Sequence, residues 1–168
     1  DYVALAWEML GYLMFSGNPR QVAFMLYGNG GNGKGTLLRV IKDLLGHENV
    51  ASESLDDLNN NRFSPVNLYG KIANLAGDID ATYQESTANF KKLTGEDTIA
   101  GERKFGQRFL FDSWAVPVFS ANKFPTSADV TRGYLRRWIV LHFHKAIPED
   151  LAIDGFSDIL SRELLGIA

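Results

Sequence analysis

Hydrophobic residues along the chain cluster in short continuous runs, a pattern typical of strands that are covered on both faces. The runs occupy residues 22–28, 72–76, 114–124 and 136–143. Because such strands belong to parallel sheets, the pattern predicts an α/β fold with a largely parallel central sheet. Pro117 argues mildly against a central position for the third strand, since proline cannot donate a ladder hydrogen bond.

Between these runs, apolar residues recur at helical spacing and predict the helices that would flank the sheet. The predicted helices cover residues 2–15, 36–45, about 84–93 and 156–167. Gly46 suits the end of the second helix, and Ser157 suits the N-cap of the last one. The polar stretch from 47 to 71 is predicted to be loop with a short helix at most.

Residues 97–111 alternate polar and apolar side chains around Gly101 and Gly106. This alternation predicts a β-hairpin inserted into the α/β fold. The turn of the hairpin would carry Arg103 and Lys104, so its tip would be basic.

The length of 168 residues predicts one domain, 1–168. Because Asp1 opens directly onto a helical pattern, we expect this domain to be a fragment of a longer protein. The chain has no cysteine, which excludes disulfides and thiolate metal sites. No apolar run approaches the roughly 20 residues of a membrane span, so we expect no membrane partner and a cytoplasmic setting.

The net charge of −3 shows none of the overall basic character that many nucleic-acid-binding proteins have. Contact with DNA would therefore be local. Basic residues do cluster, at Lys91 and Lys92, around Arg103, and at Arg136 and Arg137. Such clusters are as commonly solvated surface charges as binding sites.

A glycine-rich segment joins the first predicted strand to the second predicted helix. Gly28, Gly33 and Lys34 fit the phosphate-loop pattern G-x-x-x-x-G-K-[ST]. In this context backbone N–H groups and the helix dipole converge on an anion, and the lysine adds a mobile cation. The predicted nucleotide-binding residues are Gly28, Asn29, Gly30, Gly31, Asn32, Gly33, Lys34, Gly35 and Thr36. A turn that only caps a helix needs one or two glycines, whereas this segment has five in eight positions.

Gly35 departs from the pattern, because the Ser/Thr hydroxyl at this position normally ligates magnesium. Thr36 follows one residue later, about 100° around the helix. Magnesium would therefore be held by Thr36 after a shift of the turn, or through water.

Polar residues that suit phosphoryl transfer stand near the other predicted strands. They are Asp78, Asp80, Asn122, Arg136 and Arg137. Each also has an ordinary explanation, as a helix cap, a turn former or a surface charge. We expect all of them at the carboxyl edge of the sheet, where parallel sheets place ligands.

Several segments together resemble superfamily 3 helicases, within them the helicase domain of phage and plasmid primase-helicases, related to the poxvirus type. The likeness spans nearly the whole chain and rests on LYGNGGNGKGTLL, ANLAGDID, FKKLTGEDTIAGERKFGQRFLF, PVFSANKFP with Asp129, GYLRRWIVLHF and RELLGI. The order of these segments is specific to that family, although no single segment is.

The resemblance implies a P-loop NTPase of AAA+-like fold that forms a ring, usually a hexamer, and uses ATP and magnesium to move along single-stranded DNA. Asp78 would bind magnesium or activate water with help from Asp80, and Asn122 would sense the γ-phosphate. Arg136 or Arg137 would reach a neighbouring subunit's nucleotide. Lys92, Arg103 and Lys104 would contact DNA. A fused or associated primase and a bacterial or phage-infected host cell are also implied.

Two departures from the family pattern bear on turnover. The acidic motif, a glutamate type in the family, appears here as Asp78 and Asp80, and Gly35 replaces Ser/Thr. A non-hydrolysing ring component or DNA-loading module is therefore an alternative. A nucleoside monophosphate kinase, whose loops also contain G-K-G-T, is a weaker one, because the chain has no D-G-[FY]-P-R segment.

Overall fold

The computed structural model describes residues 1–79 and 83–167, so the predicted site residue Asp80 lies outside the described residues. The strands are β1 (Ala23–Tyr27), β2 (Val50–Ala51), β3 (Ala73–Ala76), β4 (Thr98–Glu102), β5 (Arg108–Asp112), β6 (Val116–Ala121) and β7 (Trp138–His142). The α-helices are α1 (Tyr2–Leu13), α2 (Lys34–Leu45), α3 (Leu55–Asn60), α4 (Ala88–Thr94), α5 (Arg132–Leu135), α6 (Phe156–Ser161) and α7 (Leu164–Ile167). Short 3-10 turns cover His47–Asn49, Pro65–Leu68 and Glu149–Leu151.

Five parallel strands form the central sheet in the order β2-β3-β6-β1-β7. Side chains of β1 pack alternately on its two faces: Ala23 and Met25 join one hydrophobic cluster, and Phe24 and Leu26 join the other. Burial on both faces explains why this strand is a continuous apolar run. The predicted α/β fold with a largely parallel sheet is confirmed.

Helices cover both faces of the sheet. On one face α1 and α2 bury Leu13 and Ile41. On the other face α3 and α4 bury Leu58 and Phe90, and the ring of Phe90 stacks on Trp138 at 4.5 Å between centroids. No described helix combines the length and the apolar character that a membrane crossing requires.

Pro117 lies in the central strand β6, so the objection to that position was wrong. Val116 N–H donates to the carbonyl of Ile72 beside β3, which turns position 117 toward β1. The ladder with β1 begins only at Val118. The missing N–H of Pro117 therefore falls just before that ladder and removes no hydrogen bond from it.

The inserted hairpin is confirmed as the antiparallel pair β4–β5. Ile99 and Phe111 bury its base in the core cluster beside α4. Its turn, 103–107, is exposed and carries Arg103, Lys104 and Phe105. The predicted basic tip is therefore present, with one exposed aromatic ring beside the two cations.

Several predicted bounds and caps differ from the structure, and the helix predicted over 156–167 is divided into α6 and α7. The stretch 47–71 contains α3, β2 and two 3-10 turns rather than one short helix at most. α4 begins at Ala88 because Gln84 pairs with Ser127 in an isolated bridge, which keeps the chain extended there. Ser157 is not an N-cap: Gly155 precedes α6, and the Ser157 hydroxyl accepts a hydrogen bond from Arg39.

The turn after β1 lies close against the end of β7. A β-carbon at Gly28 would stand 2.2 Å from the carbonyl oxygen of Phe143, and the φ of Gly28 is +150°. A β-carbon at Gly35, by contrast, would meet nothing within 4 Å. The two glycines therefore have different reasons to be there: the first permits a close backbone approach, and the second has no steric requirement.

We predict that Gly28→Ala lowers the free energy of unfolding by about 2–4 kcal/mol, from backbone strain and overpacking. The matched variant Gly35→Ala is expected to be neutral or to stabilise by up to about 1 kcal/mol, since alanine is the better helix former. Urea unfolding of both variants measures the difference. Equal effects would contradict the close approach at Gly28.

Asp129 connects the segment after β6 to α4. Its carboxylate accepts hydrogen bonds from Lys91 Nζ at 2.8 Å, from Thr131 and from Thr87. These donors, Lys91 first, hold the pKa of Asp129 well below its usual range. The chain that leaves β6 is thereby fastened to the helix that precedes the hairpin.

We predict that Asp129→Asn lowers the urea midpoint of unfolding at pH 7 and that this difference shrinks in acid. A carboxylate with a lowered folded pKa stabilises fully above its unfolded pKa, about 3.9. That stabilisation is lost as the pH falls through the folded pKa. Urea titrations at pH 7, 5 and 3 test this, with exposed Asp154→Asn as the control. A difference that does not vary with pH would contradict it.

Candidate functional site

The glycine loop, residues 28–33, leads from β1 into the first turn of α2. Gly33 occupies the N-cap position with φ +88°, and no side chain caps the helix. The first N–H groups of a helix have no partner within it. In this chain they face the loop without a side-chain acceptor, which is the arrangement that favours an anion.

Lys34 is the first residue of α2, and its ammonium group lies at the centre of the loop. Nζ is 2.5 Å from the carbonyl oxygen of Gly28, 2.9 Å from that of Asn29, 3.0 Å from Asn32 Oδ1 and 3.2 Å from Asn122 Oδ1. All four acceptors are neutral oxygens. Lys34 is only 7% exposed.

The electrostatics of this position favour an incoming anion. Burial lowers the pKa of Lys34, and the negative charge of Asp78 raises it in part. Among the residues that the structure describes, none forms an ion pair with Lys34. An ammonium group that has lost water without gaining an ionic partner is stabilised when an anion binds beside it.

Asn122 and Asp78 continue the polar contacts from Lys34 along the edge of the sheet. Asn122 follows β6 directly, and its Nδ2 donates to Asp78 Oδ1 at 3.4 Å. Asp78 lies two residues after β3, the next strand along. The structure thus brings three predicted site residues together at the carboxyl edge, as expected for parallel strands.

Asp78 has an unusual backbone conformation. Its φ is +51°, in the left-handed region that a non-glycine residue adopts at a cost. The next residue, Ile79, donates its N–H to the carbonyl of Ser120 in β6 at 2.8 Å. This hydrogen bond fixes the chain beside β6 and so keeps Asp78 near Asn122.

Asp78 and Thr36 were the predicted magnesium ligands. Asp78 is exposed, and Thr36 is half-buried in the first turn of α2. Across residues 1–79 and 83–167, no group of three or more His, Cys, Asp or Glu side chains converges. Magnesium in phosphate sites is commonly held by one or two carboxylates, phosphate oxygens and water. The residues present fit an ion shared with a phosphate, and do not fit a site made of protein ligands alone.

The two arginines lie at the opposite edge of the sheet, so their predicted position at the carboxyl edge was wrong. They precede β7, whose first residue Trp138 pairs with Ala23 at the start of β1. The length of β1, about 16 Å at roughly 3.3 Å per residue, separates them from the glycine loop of the same chain. The strand predicted over 136–143 included both arginines, whereas β7 begins only at Trp138 and the arginines precede it.

The side chains of the two arginines are also engaged differently. Arg137 is half-buried and donates to the Thr94 hydroxyl at 2.9 Å and to the carbonyl of Gly133. Burial and then the neighbouring charge of Arg136 lower the pKa of Arg137. Arg136 is exposed, and its guanidinium donates to Gln21 Oε1 at 2.6 Å. The guanidinium of Arg137 is therefore occupied by hydrogen bonds within the fold, whereas that of Arg136 is exposed at the surface.

The predicted DNA contacts fall on two sides of the hairpin. Arg103 and Lys104 are at the exposed tip, with Lys104 Nζ 5.4 Å from the centre of the Phe105 ring. Lys92 lies instead in a groove of about 560 Å³ between α3, α4 and the hairpin. Arg62 and Arg108 line the same groove.

Two features of this region have no signal in the sequence. Arg62 joins the groove because the stretch 47–71 is folded, whereas we expected it to be mostly loop. The segment after β7 contacts the glycine loop: the carbonyl of Phe143 accepts from Asn32 Nδ2 at 2.8 Å, and Ile147 N–H donates to the carbonyl of Gly31 at 2.7 Å. Neither contact has a signal in the local sequence.

Solved structures with the same fold include a helicase. The apo NrS-1 C-terminal region superposes with a TM-score of 0.76 at 18% identity, over 99% of this chain and 40% of that one. JCV helicase superposes with a TM-score of 0.56 at 15% identity, over 97% of this chain and 45% of that one. Likeness at this identity shows the fold alone, and the chain spans less than half the length of either solved chain.

Sequence comparisons place the chain in a family. A search of the curated proteins finds no match. A family of unknown function (DUF5906) matches residues 26–137, a range that contains the glycine loop, Asp78, the hairpin, Asn122 and both arginines. The match covers more than half of the chain, and the chain therefore belongs to this family of unknown function, DUF5906.

Proposed function

We propose that this chain is the ATPase domain of a superfamily 3 helicase, a P-loop, AAA+-like domain that moves along single-stranded DNA. The observation that carries the proposal is the contact series from Lys34 through Asn122 to Asp78, at 3.2 and 3.4 Å. A cation, an amide and a carboxylate stand in a row beside an uncapped helix N-terminus. This set of groups suits a nucleoside triphosphate with its metal.

The strand order supports the same proposal. β6 lies between β1 and β3, so Asn122 stands between the glycine loop and Asp78. A γ-phosphate bound by Lys34 would meet the amide of Asn122 before the carboxylate of Asp78. The JCV helicase shares this fold, with a TM-score of 0.56.

In the proposed reaction, phosphate oxygens replace the carbonyl groups of Gly28 and Asn29 as acceptors for the Lys34 ammonium. The N–H groups of the loop and of α2 bind the same phosphates. Asn122 reports the presence of the γ-phosphate, and Asp78 orients the attacking water. Asp78 and Thr36 would hold Mg²⁺ directly or through water, and the ion would neutralise charge on the phosphates.

Arg136 is the arginine that we propose for contact with a neighbouring subunit's nucleotide. It is exposed, while Arg137 is occupied by Thr94 and Gly133. Both arginines lie at the edge opposite the loop, about one length of β1 away, and we therefore propose that assembly brings Arg136 to a neighbouring subunit's nucleotide. A homo-oligomer, as a hexameric ring, supplies that geometry. Within a longer replication protein, a primase would be fused or associated.

Gly35 favours one alternative function. The chain has no hydroxyl at the position that normally ligates magnesium. A ring component or DNA-loading module that binds ATP without hydrolysing it would need the loop but not that ligand. Binding of ATP without turnover would select this alternative.

We predict that steady-state ATP turnover is stimulated by single-stranded DNA. Lys34→Ala and Asp78→Ala are each expected to lower kcat by about 100-fold or more, because each removes a charge that acts on the phosphates or the water. The measurement is phosphate release with and without an oligonucleotide.

Lys42→Ala, farther along α2, and Asp56→Ala, on α3, are the matched controls for these two variants. Both are expected to keep wild-type turnover. Unchanged turnover in Lys34→Ala or in Asp78→Ala would refute the site assignment.

For the hairpin, we predict that the double variant Arg103→Ala with Lys104→Ala weakens binding of single-stranded DNA. The slope of log K against log salt should decrease in magnitude by about 1.4, or about 0.7 per phosphate contact. Fluorescence anisotropy across a salt series measures it. The charge-matched control is Arg20→Ala with Lys42→Ala, outside the hairpin. An unaltered slope in the hairpin variant would exclude the tip from the DNA interface.

A further inference from the structure

Gln21 lies two residues before β1, at the same edge of the sheet as the two arginines. Its φ is +57°, in the left-handed region that a residue with a β-carbon adopts at a cost. Its N–H donates to the carbonyl of Asn18 at 2.7 Å, which closes a tight turn over residues 18–21. Backbone strain of this kind persists only where the surrounding structure fixes the residue.

Asn18 is the residue that fixes this turn, and it is 0% exposed. Its Nδ2 donates to the carbonyl of Val22 at 2.8 Å, and its Oδ1 accepts from the N–H of Val22 at 3.1 Å. Oδ1 also accepts from the Tyr12 hydroxyl at 2.8 Å, and the backbone N–H of Asn18 donates to the Glu96 carboxylate. Contacts from α1 and from the turn after α4 therefore hold the chain on both sides of Gln21.

The side chain of Gln21 contacts the exposed arginine at this edge. Its Oε1 accepts from the Arg136 guanidinium at 2.6 Å. The backbones of the two segments also lie side by side, because the N–H of Ala23 donates to the carbonyl of Arg137 at 2.7 Å. Arg136 itself is the C-cap of α5. The contact between the two side chains thus joins two backbones that are each fixed by the fold.

The acceptor for Arg136 is neutral, so the contact orients the guanidinium without cancelling its charge. Within residues 1–79 and 83–167, no acidic side chain forms an ion pair with Arg136. A guanidinium carries five N–H donors in one plane. The hydrogen bond to Gln21 uses one of them and leaves the others for phosphate oxygens, the partners that arginine binds most strongly.

We propose that Gln21 is a positioning residue that fixes the orientation of the Arg136 guanidinium for contact with a neighbouring subunit's nucleotide. The proposal rests on the role of Arg136 proposed above. An arginine side chain without such a contact samples many rotamers, and ordering it in advance reduces the entropy lost when it binds phosphate. The strained turn thereby has a function, because it places an amide oxygen beside the arginine.

Two substitutions separate the side chain of Gln21 from its backbone strain. Gln21→Gly removes both, whereas Gln21→Asn keeps an amide that tolerates the left-handed conformation but is shorter by one methylene. Both variants are expected to unfold at the urea midpoint of wild type or above it. Both are expected to lower kcat for ATP by about tenfold, the loss of one hydrogen bond to a charged group. KM should not change, because the glycine loop of the same chain lies at the opposite edge.

A mixing experiment tests whether the arginine acts between subunits. Lys34→Ala subunits keep Arg136 without a working loop, and Arg136→Ala subunits keep the loop without the arginine. Mixing the two is expected to restore turnover. When the Lys34→Ala subunits also carry Gln21→Gly, the restored turnover should be about tenfold lower. Arg132→Ala, an exposed arginine of α5, is the control for Arg136→Ala and should keep wild-type turnover.

The outcomes distinguish the two proposals. If wild type does not turn over ATP, or if mixing restores nothing, the role of Arg136 fails and that of Gln21 fails with it. If Arg136→Ala is slow while both Gln21 variants keep wild-type kcat, the role of Arg136 stands and that of Gln21 is overturned. A further loss when Gln21→Gly is added to Arg136→Ala, or a lower urea midpoint in both Gln21 variants, also overturns the positioning role.

Discussion

The buried ammonium of Lys34 is the contact on which the arrangement of this edge depends. It draws the carbonyls of Gly28 and Asn29 and the side chains of Asn32 and Asn122 around one charge. These groups come from the turn after β1 and from the end of β6. Because all are neutral, they compensate only part of the desolvation of the cation. The contacts of the Lys34 ammonium thus hold this edge in place, and its charge still favours the binding of an anion.

The sheet determines which residues can share that site. All five strands run parallel, so each strand has one end at the loop edge and one end away from it. Asp78 and Asn122 follow their strands and meet Lys34, while Arg136 and Arg137 precede theirs and do not. The parallel direction of the strands brings Lys34, Asp78 and Asn122 together and places the arginines away from their site. Their place in the proposed function therefore has to be at a contact between subunits.

The sequence predicts the features that depend on local pattern and misses those that depend on distant contacts. The apolar run 22–28 indicated β1 correctly, because burial on both faces leaves a direct mark on composition. Pro117 argued against a central strand in the sequence. Nothing in the residues near it indicates that the hydrogen-bond ladder with β1 begins only at Val118. The arginines lie at the edge away from the loop because they precede β7. The strand predicted over 136–143 included them, so the sequence did not indicate the edge at which they lie. The sequence did not predict the groove between α1 and the end of β7, because its walls come from segments more than 100 residues apart.

Helix α4 links the loop edge to the hairpin through contacts at both of its ends. At its start, Asp129 fastens the segment after Asn122 to Thr87 and Lys91. At its end, Thr94 accepts from Arg137, and β4 of the hairpin begins at Thr98, four residues later. The physical basis for coupling between distant sites is an element with two arrangements whose balance both sites change. In the proposed function we expect α4 to be this element, because it contacts the segment after Asn122 at its start and leads into the hairpin at its end.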